Sequence, residues 1–172
     1  PFRGAELSGW ASHDRLGPAA PHPPELLSEV RSRFGDLEMP HESYGPSSTE
    51  ELIQLRDALL ENTRTSVEVA LSILERPWDL GIVAFSALHR GGHRLFDRSS
   101  IDGENPGERG LEFDAALRDL YVDCDQAVGR LVDAAPDAKP HLGPALVCVA
   151  DESLYRVASP LHDRSGYTVT SL

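Results

Sequence analysis

Between Asp79 and Ser86 the chain reads Asp-Leu-Gly-Ile-Val-Ala-Phe-Ser, an apolar run too short for a helix and almost without polar interruption. A strand covered on both faces needs that pattern, and such strands belong to parallel sheets flanked by helices. A second run, Pro144-Ala-Leu-Val-Cys-Val-Ala150, ends at Asp151-Glu152. Between the two, Phe113, Leu117, Leu120, Tyr121, Cys124, Val128, Leu131 and Val132 recur at helical spacing, which predicts a helix over 108–134. Strand, long helix, strand is the signature of a right-handed parallel crossover. The expected fold class is therefore α/β, a mostly parallel sheet with covering helices. It would form a single domain over 1–172 or a segment of a larger α/β domain.

The N-terminal half supplies the covering helices. Residues 1–23 hold four prolines among Gly and Ser and are expected to be irregular. Pro23-Pro24 opens a helix from Glu25 to Phe34, with Leu26, Leu27, Val30 and Phe34 on one face and Gly35 as its stop. Ser48-Thr49-Glu50-Glu51 is a capping box. Behind it Leu52, Leu55, Leu59, Thr63, Val67, Ala70, Leu71 and Leu74 carry a long helix to Arg76, and Pro77 ends it. Residues 136–140 read as a linker. The tail 153–172 is weakly patterned, with Tyr167–Thr170 as a candidate edge strand. No internal repeat is visible.

Composition excludes several classes. A chain of 172 residues can bury a core of its own. Its net charge of −12, with one lysine among 16 basic residues, is unsuited to a nucleic-acid backbone. No run approaches the roughly eighteen apolar residues of a membrane span. Pro1-Phe2-Arg3 has no signal-peptide shape and no initiator Met, so an excised or processed piece is expected. The expectation is a soluble chain, with the cytoplasm favoured. Cys124 and Cys148 both lie in apolar patterns and read as buried free thiols. No phosphate loop, dinucleotide fingerprint or hydrolase elbow is present.

In open parallel sheets ligands sit beyond the carboxyl ends of the strands. His89 and His93 come after the first strand and Asp151 ends the second. Imidazoles four residues apart share a helix face and come within reach of one ion. Imidazole and carboxylate together suit a divalent metal, zinc or manganese. The spacing has a plainer reading: Gly91-Gly92 would make the segment a loop, and the histidines would be solvent-facing or hydrogen-bonded. Asp151-Glu152 would then simply end a strand and cap a helix after it.

Trp78-Asp-Leu-Gly-Ile-Val-Ala-Phe-Ser-Ala-Leu-His-Arg-Gly-Gly-His93 and Leu120-Tyr-Val-Asp-Cys-Asp-Gln-Ala-Val-Gly-Arg-Leu131 resemble the phosphodiesterases of the alkaline phosphatase superfamily. So do Gly9–Asp14 and the Pro-Pro-Glu-Leu helix start, and the likeness covers most of 9–152. It implies a doubly wound α/β fold and a two-metal centre, usually zinc. It also implies a Ser or Thr nucleophile attacking the phosphorus of a phosphate-ester small molecule. By position, His93 would match the family's histidine ligand. His89 stands where many members have Asp, and Asp151 would match the first residue of an Asp-His pair. Glu152 replaces the second residue of that pair and Ser153 the glycine after it. The nucleophile would lie upstream and the last histidine ligand downstream, so an additional chain or segment would complete the site. The expected function is a metal-dependent phosphoryl-transfer hydrolase with an incomplete centre. The alternative is a non-catalytic binding or assembly domain of the same fold, using the helices 49–76 and 108–134 as an interface.

Overall fold

The computed structural model describes residues 4–10, 19–37, 45–103, 109–142 and 146–149. Helices dominate it: α1 (Leu26–Phe34), α2 (Thr49–Leu74), α3 (Ala87–Arg94) and α4 (Gly110–Asp133). Five short strands accompany them: β1 (Glu6–Ser8), β2 (Ala20–His22), β3 (Leu80–Val83), β4 (Lys139–Leu142) and β5 (Leu146–Val149).

The helix ends fall at the residues that signalled them. Ser48 Oγ accepts from Glu51 N–H at 3.2 Å, and Glu51 returns a carboxylate to Ser48 N–H at 2.9 Å, so the capping box closes in both directions. Pro77 lies just past the end of α2. Gly35, at φ +80°, ends α1, where a side chain would be strained.

α2 and α4 lie side by side and run in the same direction. Ion pairs climb both helices in step: Glu50 with Arg109, Arg56 with Glu112, Arg64 with Asp123 and Glu68 with Arg130. Beneath this ladder Leu52, Ile53 and Leu59 of α2 meet Phe113, Ala116, Leu120 and Cys124 of α4. Ala87 of α3 and Leu95 just beyond it close the same cluster. Burying a leucine here contributes about 2–3 kcal/mol. A second cluster gathers Ala70, Leu71, Leu74, Trp78, Val83, Phe85, Val128 and Ala138 around Leu131, which ties the sheet to the C-terminal ends of both helices. α1 packs Leu26 and Val30 against Val69, Leu7 and Trp10.

The sheets correct the expected fold class. The main sheet has the order β3-β5-β4, and both pairings are antiparallel. Leu80 pairs with Val149 and Val83 with Leu146, while Lys139 also pairs with Val149. The described residues are mostly helical with small antiparallel sheets, not a mostly parallel α/β sheet. The cause lies in Lys139–Leu142, within and just past the expected linker. That segment is a strand antiparallel to β5, and β5 runs antiparallel to β3. Pro140 lacks an N–H, and an edge strand is where a sheet tolerates that. The apolar run at 80–83 is not buried on both faces either, since β3 is itself an edge and Ile82 is exposed. β1 and β2 form a separate antiparallel pair, Glu6 opposite His22, within a stretch expected to be irregular.

The two long helices share one plan. α2, residues 75–79 and β3 are matched by α4, residues 134–138 and β4, with connections of equal length. Leu80 and Lys139 open the two strands at equivalent positions beside Val149. No sequence repeat announces this. Helices that share a direction and ladder together need only matching apolar faces.

Candidate functional site

α3 is the element on which the sequence placed a metal site, and it is a helix despite Gly91-Gly92. Arg90 N–H donates to Ser86 O at 3.1 Å and Leu95 N–H to Gly91 O at 2.7 Å, so both glycines lie within hydrogen-bonded turns. Gly91 is there for close approach. A Cβ on it would lie well inside van der Waals contact of Leu120 Cδ1 and 3.6 Å from Leu117 Cδ1. Only a bare backbone lets α3 sit this close to α4. Gly92 faces open space.

The inner face of α3 carries Ala87, Arg90 and Gly91, all buried. The outer face presents His89 and His93, both exposed. Their ring centroids are 4.5 Å apart, with the planes at 88°. The two imidazoles therefore lie together, one helical turn apart on one solvent-facing surface. Arg94 fastens the end of the helix. Its Nη1 donates to Gly45 O at 2.6 Å and its Nη2 to Ser47 Oγ at 2.7 Å. Ser47 in turn bridges to Ile101. Past the helix, the Asp97 side chain accepts from Ser99 N–H at 2.8 Å and caps the 3-10 turn Arg98–Ser100.

The donor chemistry, two accessible imidazoles side by side, suits one edge of a zinc or manganese sphere. Among the described residues no third His, Cys, Asp or Glu joins them. Asp151, expected as the third ligand, lies outside the described residues, as do Glu152, Ser153, His162, His13, His41 and Tyr167–Thr170. The common rim that was to unite histidines and carboxylate rested on parallel strands. With β5 reversed, its C-terminal residue Val149 pairs with Leu80, whereas His89 comes after the opposite end of β3 at Val83.

Two features carry no local sequence signal. Among the described residues Arg90, on α3, is the largest fully buried side chain, 1% exposed. A guanidinium is costly to take out of water, and nothing in the flanking residues distinguishes Arg90 from half-buried Arg94. The other is the charged cluster at the N-terminal end of the helix pair. Arg109 donates to Glu112 at 2.7 Å and to Glu50 at 2.5 Å, while Arg56 reaches Glu112 at 2.6 Å. The hydrogen bond from Arg109, with that from Arg56, holds the Glu112 carboxyl down at about 2. The cluster joins residues far apart in the chain, Glu50 with Arg109 and Arg56 with Glu112, which spacing does not reveal. Cys124 is buried as expected. Burial pushes its thiol up, and the hydrogen bond with Thr63 offsets only part of that, so it is an inert core group.

Compared with family models, with curated proteins and with solved structures, the chain matches none.

Proposed function

We propose that this chain contributes to a metal-dependent phosphoryl-transfer hydrolase acting on a phosphate ester. His89 and His93 would hold one edge of its divalent-metal centre. The observation that carries the reading is the exposed imidazole pair on α3, 4.5 Å apart and fixed by Gly91 below and Arg94 behind. The order of residues across 78–93 and 120–131, with its resemblance to alkaline-phosphatase-superfamily phosphodiesterases, supports the choice of reaction. When bound, zinc or manganese would stabilise charge on the phosphoryl oxygens. The chain's own part is to hold the two imidazoles in place. Asp151 remains the nominee for a further ligand, and the nucleophile would come from elsewhere.

The test is titration of the metal-stripped chain with zinc and with manganese, then hydrolysis of a chromogenic phosphodiester by the full-length protein. His93→Ala should weaken metal binding by about tenfold or more, since one imidazole cannot chelate. A folded sample that takes up neither ion would overturn the proposal. So would one that binds the metal but hydrolyses no phosphate ester.

A further inference from the structure

α4 is apolar on two opposite sides. Phe113, Ala116, Leu120, Cys124, Ala127 and Leu131 fill the core side. At 3.6 residues per turn, Leu111, Asp114, Arg118, Tyr121 and Val122 fall within about 100° of arc on the other side. Leu111 is 82% exposed, Tyr121 57% and Val122 50%, three of the five exposed large hydrophobic side chains among the described residues. A helix in water normally keeps its outer face polar, so such a stripe calls for a covering surface.

The order of the stripe specifies what covers it. Between Leu111 and Val122 it runs apolar, charged, charged, apolar from either end, with an acid at Asp114 and a base at Arg118; exposed Asp125 follows on the same face. Two copies of α4 laid antiparallel about a two-fold axis bring Leu111 of each against Tyr121 and Val122 of the other. The same register sets each Asp114 opposite the other copy's Arg118. The contact is self-complementary in apolarity and in charge, as an isologous interface must be. Asp114 is already oriented, since Arg98 holds it through Nε at 2.9 Å and Nη2 at 2.5 Å. Arg118, its side chain 76% exposed, meets only adjacent Asp119, at 3.5 Å, among the described residues.

We infer that this face of α4 is a homodimer interface, occupied by a second copy of the chain in antiparallel register. A contact built on one helix pair is small, so the expected dimer is weak, with a dissociation constant of ~100 µM or tighter.

Sedimentation velocity of the full chain at ~0.15 M salt, over a concentration series, tests it. The wild type should shift from monomer to dimer. Arg118→Asp alone sets acid against acid across the axis, and Asp114→Arg alone sets base against base. Each should weaken self-association by ~10-fold or more. An equimolar mixture of the two variants restores opposite charges at both contacts and should form a mixed dimer. Leu111→Lys gives an independent disruption at an exposed position, and circular dichroism confirms that every variant is folded. A wild type that stays monomeric to ~1 mM overturns the inference. Variants that dimerise as well as wild type, or a mixture that fails to recover, also overturn it.

Discussion

Alanine at Gly91 and alanine at Gly92 should have opposite effects on stability, although the residues are adjacent in one helix. Either change removes backbone freedom from the unfolded chain and improves helix propensity, a gain of about 0.5–1 kcal/mol. At Gly92 nothing opposes the gain, because no atom lies within 4 Å of the new methyl. At Gly91 the methyl enters the space of Leu120 Cδ1, with Leu120 Cγ at 3.7 Å and Leu117 Cδ1 at 3.6 Å. Leu120 is itself fully buried, so it must repack within the core to make room. Overpacking of this kind costs about 1–3 kcal/mol, so the net loss is ~1–2 kcal/mol. For a chain of this size that lowers the melting midpoint by roughly 2–8 °C, while Gly92→Ala raises it by roughly 1–4 °C. Thermal unfolding monitored by circular dichroism reads both, and urea titration checks them at constant temperature. If Gly91→Ala stabilises as much as Gly92→Ala, α3 does not sit against α4 as described. The packing support for the histidine pair then goes with it.

The same packing sets other outcomes. Arg90→Ala should destabilise by roughly 2 kcal/mol or more, because it empties the largest fully buried side-chain site among the described residues; chemical denaturation reads this. Ser48→Ala opens the capping box and should cost about 1 kcal/mol, whereas Ser48→Asp should keep most of the stability. Glu112 has its folded pKa depressed from 4.5 to about 2. A depressed carboxyl contributes stability above its unfolded pKa and loses it as pH falls through the folded one. Acid titration of the melting midpoint should therefore show a decline between about pH 4.5 and 2, and Glu112→Gln should flatten it.

The long helices were legible because their evidence is local. Ser48 with Glu51, Pro77, and the recurrence of Leu52, Leu59 and Val67 each speak for themselves within a few residues. Strand positions were legible too, since the apolar runs at 80–83 and 146–149 are both strands. Strand direction was not. It depends on Lys139–Leu142, whose Pro140 and polar neighbours resemble connecting chain and yet serve on a sheet edge. One unrecognised edge strand turns an expected parallel crossover into an antiparallel sheet. The spacing of His89 and His93 allows them to meet, but only on a helix, and adjacent glycines lower helix propensity. The reason for Gly91 lies on α4, near Leu120, well beyond any local window.

The common direction of α2 and α4 has a consequence for how the chain is made. Antiparallel neighbours can zip from a tight turn, but here each rung joins residues far apart, 59 positions for Arg64 with Asp123 and for Arg109 with Glu50. A nascent chain emerging from the ribosome therefore leaves much of the greasy side of α2 uncovered until α4 has been synthesised. Separations of this length slow folding. In that interval the half-made chain carries uncovered apolar surface, which favours aggregation.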